Sequence, residues 1–318
     1  APGTSRQVHA LMSALSIGAI GGPMLLKGAL PLRKNRLDAL FKAGIDHLFI
    51  ADHVSFHNGL GMDGMVNAAT LAAMHPTMKV VIGVYLLALR HPVTVARQLS
   101  TLSLSAPGRI ILGVGVGGED RHEMEVCGVN PATRGVHTNH CLAALSDLMS
   151  GQSSSYDCQF FSYDAAIIKP PPLPSVPILI GGRSTAAIRR VARYGDGWLA
   201  VWCSPQRFMD ATDQVMRGAA ALGRNPDWQH GLQVWVGLGK DVDRARACLA
   251  GEMEAMYRTP FAAFEKYSPF GSAEAVAEFL LPYMEKGARV LNIKACSVDE
   301  DEGIELLGEV CRYLKSAY

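Results

Sequence analysis

The chain has 318 residues, 49% of them hydrophobic, and a formal net charge of +1 at pH 7. This length allows a large buried core, and the near-neutral charge gives no sign of binding to nucleic acid or anionic lipid. No apolar run is long enough to cross a bilayer, and the seven cysteines contain no C-x-x-C pair. We therefore expect a globular cytoplasmic protein with reduced thiols, no membrane partner and no nucleic-acid partner.

Amphipathic helical segments alternate with short β-rich runs along the chain. The predicted strands are Ala10 to Ile17, His47 to Ala51, Val80 to Leu86, Arg109 to Val114, Val176 to Ile180, Gly197 to Val201, Gln233 to Leu238 and Arg289 to Ile293. Helices that close on glycine and pass directly into a strand recur at Gly44, Gly195 and Gly287. Because such alternation implies parallel pairing, the sequence predicts an α/β fold, a (β/α)8 TIM barrel, with residues 1–318 as a single domain.

Nine helices are predicted in the gaps between these strands. They are Leu32 to Ala43, Met65 to Met74, Pro92 to Ser103, His137 to Met149, Thr185 to Tyr194, Pro205 to Leu222, Val242 to Met256, Ala273 to Lys286 and Ile304 to Leu314. Two segments depart from the alternation. Aromatic and polar residues alternate from Ser153 before a proline-rich stretch that ends at Pro174, which predicts a small hairpin insertion before strand 5. The aromatic segment from Arg258 to Gly271 is either a lid or a packed connection, and packing is favoured.

The second predicted strand ends in Asp52 and His53. In a barrel of this kind, the chemistry belongs at the carboxyl ends of the strands. An imidazole can take or give a proton near neutral pH, so His53 is the best titratable candidate. Asp52 could orient His53 or bind the edge of a cofactor. Alternatively, the pair could only cap the loop that follows.

The fourth predicted strand runs into a glycine-rich segment with glycines at 113, 115, 117 and 118, followed by Glu119 and further charged residues. Glycines at these positions would leave a floor without side chains, which suits a flat ring system, with charges at its rim. The segment lacks a following helix with a third glycine in register, and it lacks an acidic residue on a second strand about twenty residues further on. Both are features of a Rossmann phosphate loop, so we reject that interpretation. The acidic residues are either a catalytic set or a solvated helix start.

Between Val176 and Trp202 the pattern is strand, glycine turn, helix and strand. Two glycines would let backbone amides approach a ligand, and the positive end of the new helix would favour an anion. The turn is therefore a candidate phosphate site. The alternative is an ordinary turn between strand and helix, which needs glycine for steric reasons alone. The turn consists of Gly181, Gly182, Arg183 and Ser184, with Ser184 as the helix N-cap.

Other motifs carry weaker signals. His137 and His140 share a helical face but have no nearby carboxylate ligand, so we predict no metal site. Trp198 and Trp202 are four residues apart and are expected on one face of a strand, mainly as packing residues. No G-x-S-x-G motif and no cysteine beside a base supports nucleophilic hydrolysis.

Three segments together resemble the luciferase-like monooxygenase superfamily, most closely its F420-dependent actinobacterial branch. They are AGIDHLFIADHV, the long block from IGVYLLALRHPV to EDRHEMEVCGV, and IGGRSTAAIRRVARYGDGW. The resemblance spans most of the chain. It implies a barrel whose carboxyl face holds the ring of coenzyme F420, or alternatively of FMN, with the phosphate at the glycine turn.

The resemblance also implies site residues. Asp52 and His53 would lie beside the reactive ring, with His53 handling the substrate proton. A non-proline cis peptide bond between Gly83 and Val84 would support the ring. Some relatives carry a catalytic glutamate after the fourth-strand glycines; the aligned position here is Gly118, and Glu119 follows it. The cofactor-binding residues would be Asp52, Gly83, Val84, Gly115, Gly117, Gly181, Gly182, Arg183 and Ser184.

The implied function is hydride transfer between F420 and a small organic substrate. FMNH2-dependent monooxygenation is the first alternative, and a flavin-binding protein without turnover is the second. We expect a small-molecule substrate and a homodimer as the candidate assembly.

Overall fold

The computed structural model describes residues 15–57 and 59–317. We number its strands in chain order. They are β1 (Ser16–Ile20), β2 (His47–Ile50), β3 (His53–Phe56), β4 (Leu60–Met62), β5 (Lys79–Leu86), β6 (Ile110–Gly115), β7 (Ser154–Asp157), β8 (Ser162–Ala166), β9 (Ile178–Gly181), β10 (Gly197–Val201), β11 (Gly231–Leu238), β12 (Phe270–Gly271) and β13 (Val290–Cys296).

The helices are numbered in the same way. They are α1 (Pro23–Leu26), α2 (Leu30–Lys42), α3 (Gly64–Met74), α4 (Pro92–Ser105), α5 (Arg121–Val126), α6 (Arg134–Leu148), α7 (Thr185–Tyr194), α8 (Pro205–Ala221), α9 (Val242–Tyr257), α10 (Ala273–Glu285) and α11 (Glu300–Ser316). Short 3-10 turns cover Leu87–Leu89, Phe261–Ala263 and Glu265–Tyr267. None of these helices within the described ranges is both long and apolar enough to span a membrane.

The chain forms two compact units. The central unit is Phe49–Asp196, and the flanking unit combines the described residues up to Leu48 with those from Gly197 onward. In the central unit, β5 pairs in parallel with β6, and β6 pairs in parallel with β9. Their core-facing side chains are almost all apolar and fully buried, as expected for parallel strands covered by helices.

In the flanking unit, β11 is the centre of a parallel sheet. It pairs with β10 on one side and with β13 on the other, and β13 pairs with β1. The two-residue strand β12 adds to the end of β11. With β2, which straddles the boundary, eight parallel strands alternate with helices, and the predicted (β/α)8 barrel is confirmed.

Most predicted elements agree with the observed ones to within a few residues. The predicted hairpin insertion is confirmed as the antiparallel pair β7 and β8. The start of the first predicted strand, residues 10–14, lies outside the described residues, and the observed strand begins at Ser16. The antiparallel pair β3 and β4, the strand β12 and the helix α1 were not predicted, and α5 was considered only as a possible helix start. All five are too short to show a clear period.

Local chemistry explains where several helices begin and end. The side chains of Asp63 and Ser184 accept backbone N–H groups as N-caps of α3 and α7. Gly44 and Gly287 follow helices with φ angles of 93° and 97°, as the predicted glycine caps require. Gly195 also ends its helix, but its φ of −95° is not left-handed. The same sequence pattern of helix, glycine and strand therefore corresponds to two different backbone conformations of the glycine.

Candidate active site at the strand ends of the central unit

Asp52 follows β2 and is completely buried. Its Oδ1 atom accepts the backbone N–H of Gly64 at 2.9 Å, and its Oδ2 atom accepts the backbone N–H of Leu86 at 2.9 Å. Arg90 donates to both oxygens, with Nη2 lying 2.8 Å from Oδ1. Two backbone amides and a bidentate guanidinium therefore use this carboxylate fully. Asp52 joins the start of α3 to the end of β5.

His53 begins β3 and is oriented by a carboxylate other than Asp52. Its Nδ1 atom lies 3.0 Å from Oε2 of Glu123, a side chain that is only 3% exposed. The same carboxylate accepts the backbone N–H groups of Val54 at 2.7 Å and Ser55 at 3.2 Å. The first turn of α5 supplies Glu123, so this short helix fixes both the imidazole and the strand that carries it.

Glu119 lies in the loop between β6 and α5. Its side chain remains exposed to solvent, yet the protein surrounds its carboxyl group closely enough to raise its pKa. Burial is the largest cause, His53 opposes it, and the negative charge of Glu123 acts in the same direction as burial. The charge of His53 therefore acts on this carboxyl group.

Asp120 fixes the same loop through backbone hydrogen bonds. Its carboxylate accepts the backbone N–H of His57 at 2.6 Å and that of His122 at 3.0 Å, so it also caps α5. Burial is the largest single influence and raises the pKa of Asp120, but the hydrogen bonds and the charge of His57 together outweigh it and lower the pKa. The loop after β6 is thereby tied to the hairpin of β3 and β4.

The glycines of β6 have a specific packing role. A Cβ atom at Gly113 would lie 2.3 Å from the carbonyl oxygen of Ile82, and one at Gly115 would lie 2.4 Å from Cγ2 of Val84. The peptide bond between Gly83 and Val84 is cis, which confirms that expectation. Packing against β5 therefore accounts for both glycines, and their role beneath a flat ring stays a prediction.

Two further glycines shape the loop after β6. Gly117 and Gly118 have φ angles of 68° and 125°, in the region that side chains disfavour. Arg134 donates from Nε to the carbonyl oxygen of Gly117 at 3.3 Å, and a Cβ atom at Gly118 would lie 3.0 Å from its Nη2. Gly118, the position at which the resemblance implied a catalytic glutamate in some relatives, has a backbone conformation that a glutamate would strain.

The glycine turn after β9 has the geometry that was predicted for a phosphate site. Gly182 has a φ of 109°, and Oγ of Ser184 accepts the N–H of Ala187 at 3.2 Å, which confirms Ser184 as the N-cap. The next two backbone N–H groups, of Thr185 and Ala186, have no acceptor within the described part of the chain. Both residues are exposed, as is Arg183. The turn therefore fits an anionic group.

The histidines of α6 pack against the hairpin insertion. The ring of His137 stacks on Phe160 with centroids 4.3 Å apart, and Nδ1 of His140 lies 3.0 Å from the hydroxyl of Tyr156. Across residues 15–57 and 59–317, no group of three histidine, cysteine or acidic side chains has the arrangement of a metal site.

The aromatic residues of the flanking unit are packing residues. Trp198 is fully buried against Phe208, whereas Trp202 contacts Tyr257 and Phe264. The expectation that the two tryptophans share a face was wrong, because Trp202 leaves the strand with a φ of 47°. The segment Arg258–Gly271 is a packed connection, as favoured, with Phe261 buried in a cluster around Trp235.

Sequence reasoning missed two residues of this site. Glu123 was one of several acidic residues after the glycines, and only the start of α5 at Arg121 distinguishes it. Arg90 follows β5 without any motif. Each reaches its partner from a distant part of the chain, 70 residues away for Glu123 and 38 for Arg90. The helical register of α5 was the one available signal.

Comparison with known proteins adds a family match. The family model described as luciferase-like monooxygenase matches residues 35–306. An F420-dependent glucose-6-phosphate dehydrogenase from Nakamurella multipartita is 29% identical over 212 residues, covering 64% of this chain and 62% of the relative. The enzyme of the same name from Beutenbergia cavernae is 32% identical over 216 residues, covering 65% and 63%. The chain therefore spans less than two thirds of these relatives' lengths.

A solved structure shares the fold over nearly the whole chain. It is an F420-dependent secondary alcohol dehydrogenase in complex with an F420-acetone adduct, with a TM-score of 0.82 and 20% sequence identity. The match covers 95% of this chain and 99% of that one. At this identity the likeness shows the fold alone, a closed barrel of eight parallel strands with helices between them.

Proposed function

Because the chain belongs to the luciferase-like monooxygenase family, we propose that it is an oxidoreductase that transfers a hydride between coenzyme F420 and a small organic substrate. The observation that carries this proposal is the position of His53 just beyond the end of β2, where its Nδ1 atom lies 3.0 Å from the buried Glu123 carboxylate. An imidazole oriented by a carboxylate at the carboxyl end of a barrel strand is typical of a site that moves protons.

The residues of the central unit fit the proposed cofactor. Gly181, Gly182, Arg183 and Ser184 would hold its phosphate, since the exposed N–H groups after Ser184 are available to an anionic acceptor. The ring would lie near the Gly83–Val84 bond, with Gly115 and Gly117 beside it. When bound, F420 supplies a ring carbon that accepts or donates a hydride.

The protein's own task is to manage the proton that accompanies the hydride. When an alcohol carbon loses a hydride, its hydroxyl must also lose a proton, and we assign that proton to His53. Glu119 is assigned the second acid–base position, because its raised pKa keeps more of it protonated near neutral pH than an ordinary glutamate. Asp52 keeps His53 in place through the backbone that they share, and its side chain is committed to Arg90.

The proposal is tested by cofactor titration of the purified protein. F420 and FMN are titrated in parallel, and we expect F420 to bind at least about tenfold more tightly, about 1.4 kcal/mol. The F420-loaded protein is then mixed with a panel of small alcohols, ketones and sugar phosphates. Loss or recovery of the absorbance of oxidised F420 reports hydride transfer. Preference for FMN together with oxygen consumption would favour the monooxygenase, and tight binding without redox exchange would favour the non-catalytic alternative.

We also propose that residues 1–318 act as a single domain and that the protein assembles as a homodimer. Size-exclusion chromatography with light scattering measures the assembly directly. A monomer at micromolar concentration would contradict the second part.

A further inference from the structure

The contact between His53 and Glu123 bears on which ring nitrogen of His53 carries a proton. Nδ1 of His53 lies 3.0 Å from Oε2 and 3.3 Å from Oε1 of the carboxylate. An ionised carboxylate can only accept hydrogen bonds, so the nitrogen that faces it must carry a proton. In the neutral imidazole the other nitrogen, Nε2, is then an acceptor.

The remaining contacts of Glu123 are with backbone donors. Oε1 accepts the backbone N–H of Val54 at 2.7 Å and that of Ser55 at 3.2 Å. Because backbone amides can only donate, they also fix which group of a substituted side chain would face them. That constraint makes the pair testable by a change of one atom.

We propose that Glu123 is a positioning residue that holds His53 in the tautomer with the proton on Nδ1, so that Nε2 is the base toward the substrate. The proposal rests on the proposed function for the identity of the reaction. It assigns a direction to the proton: Nε2 takes it from the substrate hydroxyl as the hydride leaves the adjacent carbon. The resulting imidazolium is stabilised by the Glu123 carboxylate. In the reverse reaction the same proton returns to the carbonyl oxygen as the hydride arrives.

The variant Glu123→Gln distinguishes this role from simple packing. The backbone N–H groups of Val54 and Ser55 require an oxygen acceptor, so the amide oxygen of the glutamine would face them and its NH2 group would face His53. An amide N–H donates to Nδ1 and moves the ring proton to Nε2. The shape of the side chain is kept while the tautomer is reversed. Nε2 then becomes a donor and no longer takes a proton.

The experiment measures the tautomer directly by ¹⁵N NMR of the ring nitrogens, in labelled protein without cofactor or substrate. His53→Gln identifies the His53 signals by their loss. At a pH where the ring is neutral, we expect the wild type to be protonated at Nδ1 and Glu123→Gln at Nε2. In turnover with F420, Glu123→Gln should lower kcat by about 100-fold or more, with KM and F420 affinity nearly unchanged.

Glu125→Gln is the matched control. Glu125 lies on the same short helix, is exposed, and pairs with His122 at 3.6 Å. This variant should leave both the His53 signals and kcat unchanged. A wild-type ring protonated at Nε2 overturns the proposal, even if Glu123→Gln fails to fold. A reversed tautomer with undiminished kcat overturns the catalytic part alone. Because the NMR measurement needs neither cofactor nor substrate, failure of the F420 assignment would be recognised separately.

Discussion

Arg90 donates hydrogen bonds to both oxygens of the buried Asp52 carboxylate, and this pair links the segment after β5 to the residue that precedes His53. The guanidinium also reaches Asp63 at 3.1 Å and lies 4.5 Å from the centre of the Tyr85 ring. The Asp52 carboxylate depends on this guanidinium, because without Arg90 it would be a buried charge without a charged partner. The start of β3, which carries His53, therefore depends on a pair that takes no direct part in the proton transfer.

Asp52→Asn should lower the free energy of unfolding by about 3 kcal/mol or more, because it removes the buried, bidentate partner of Arg90 and leaves this guanidinium only the more exposed Asp63. The midpoint of urea unfolding measures this change. Glu265→Gln is the comparison, since it removes an ion pair with Arg246 that is partly exposed, and it should shift the midpoint far less than Asp52→Asn does. Equal midpoint shifts for the two variants would contradict the special role of Asp52.

His53→Ala should bind F420 normally and lose turnover by about 100-fold or more, because the proton then has no acceptor in the site. The measurement is kcat for hydride transfer, beside a fluorescence titration of cofactor binding. His122→Ala is the matched control, because His122 lies on α5 but is well exposed. Full turnover by the His53 variant would remove His53 as the proton handler.

Arg183→Ala should weaken F420 binding by about tenfold, or about 1.4 kcal/mol, because a guanidinium beside the glycine turn would no longer contact the phosphate. Arg189 is also exposed and lies on α7, the helix that follows the turn, so Arg189→Ala should leave the affinity unchanged. Titration at two salt concentrations checks the electrostatic origin, since the loss should shrink as salt rises. Equal affinities for the wild type and Arg183→Ala would place the phosphate elsewhere.

The burial of His230 leads to a separate prediction about how the free energy of unfolding changes at acid pH. It is 5% exposed, its Nδ1 atom accepts the N–H of Trp198 at 3.0 Å, and burial lowers its pKa to about 4. A histidine whose pKa is lower in the folded state stabilises the protein above its unfolded pKa of 6.5. That stabilisation, about 3 kcal/mol, is lost as pH falls from about 6.5 to about 4.

His230→Gln removes this titration. The wild type should lose more unfolding free energy than the variant between about pH 7 and about pH 4, by about 3 kcal/mol. Urea unfolding at the two pH values gives both numbers. The same pH dependence in both proteins would show that His230 is not buried as a neutral ring.

The strands and helices of the barrel follow from short-range pattern. The ten residues of α7 are long enough to show a helical period, and β6 is recognised as a continuous apolar run. The N-cap Ser184 and the glycine closures mark where elements begin and end. The short elements that build the site do not. Both β3 and α5 have six residues or fewer, and their conformation depends on Glu123 and Asp120, which tie the two together.

The sequence by itself determined the alternating architecture, the candidate status of His53 and the glycine turn with its N-cap. Each of these is written in neighbouring residues, through periodicity, turn chemistry or a strand end. The tertiary structure alone decided that Glu123 faces His53 and that Arg90 faces Asp52. Those pairings join residues 70 and 38 positions apart, and several carboxylates and arginines in the chain could have met the same need. Only packing, which fixes distance and burial, selects among them.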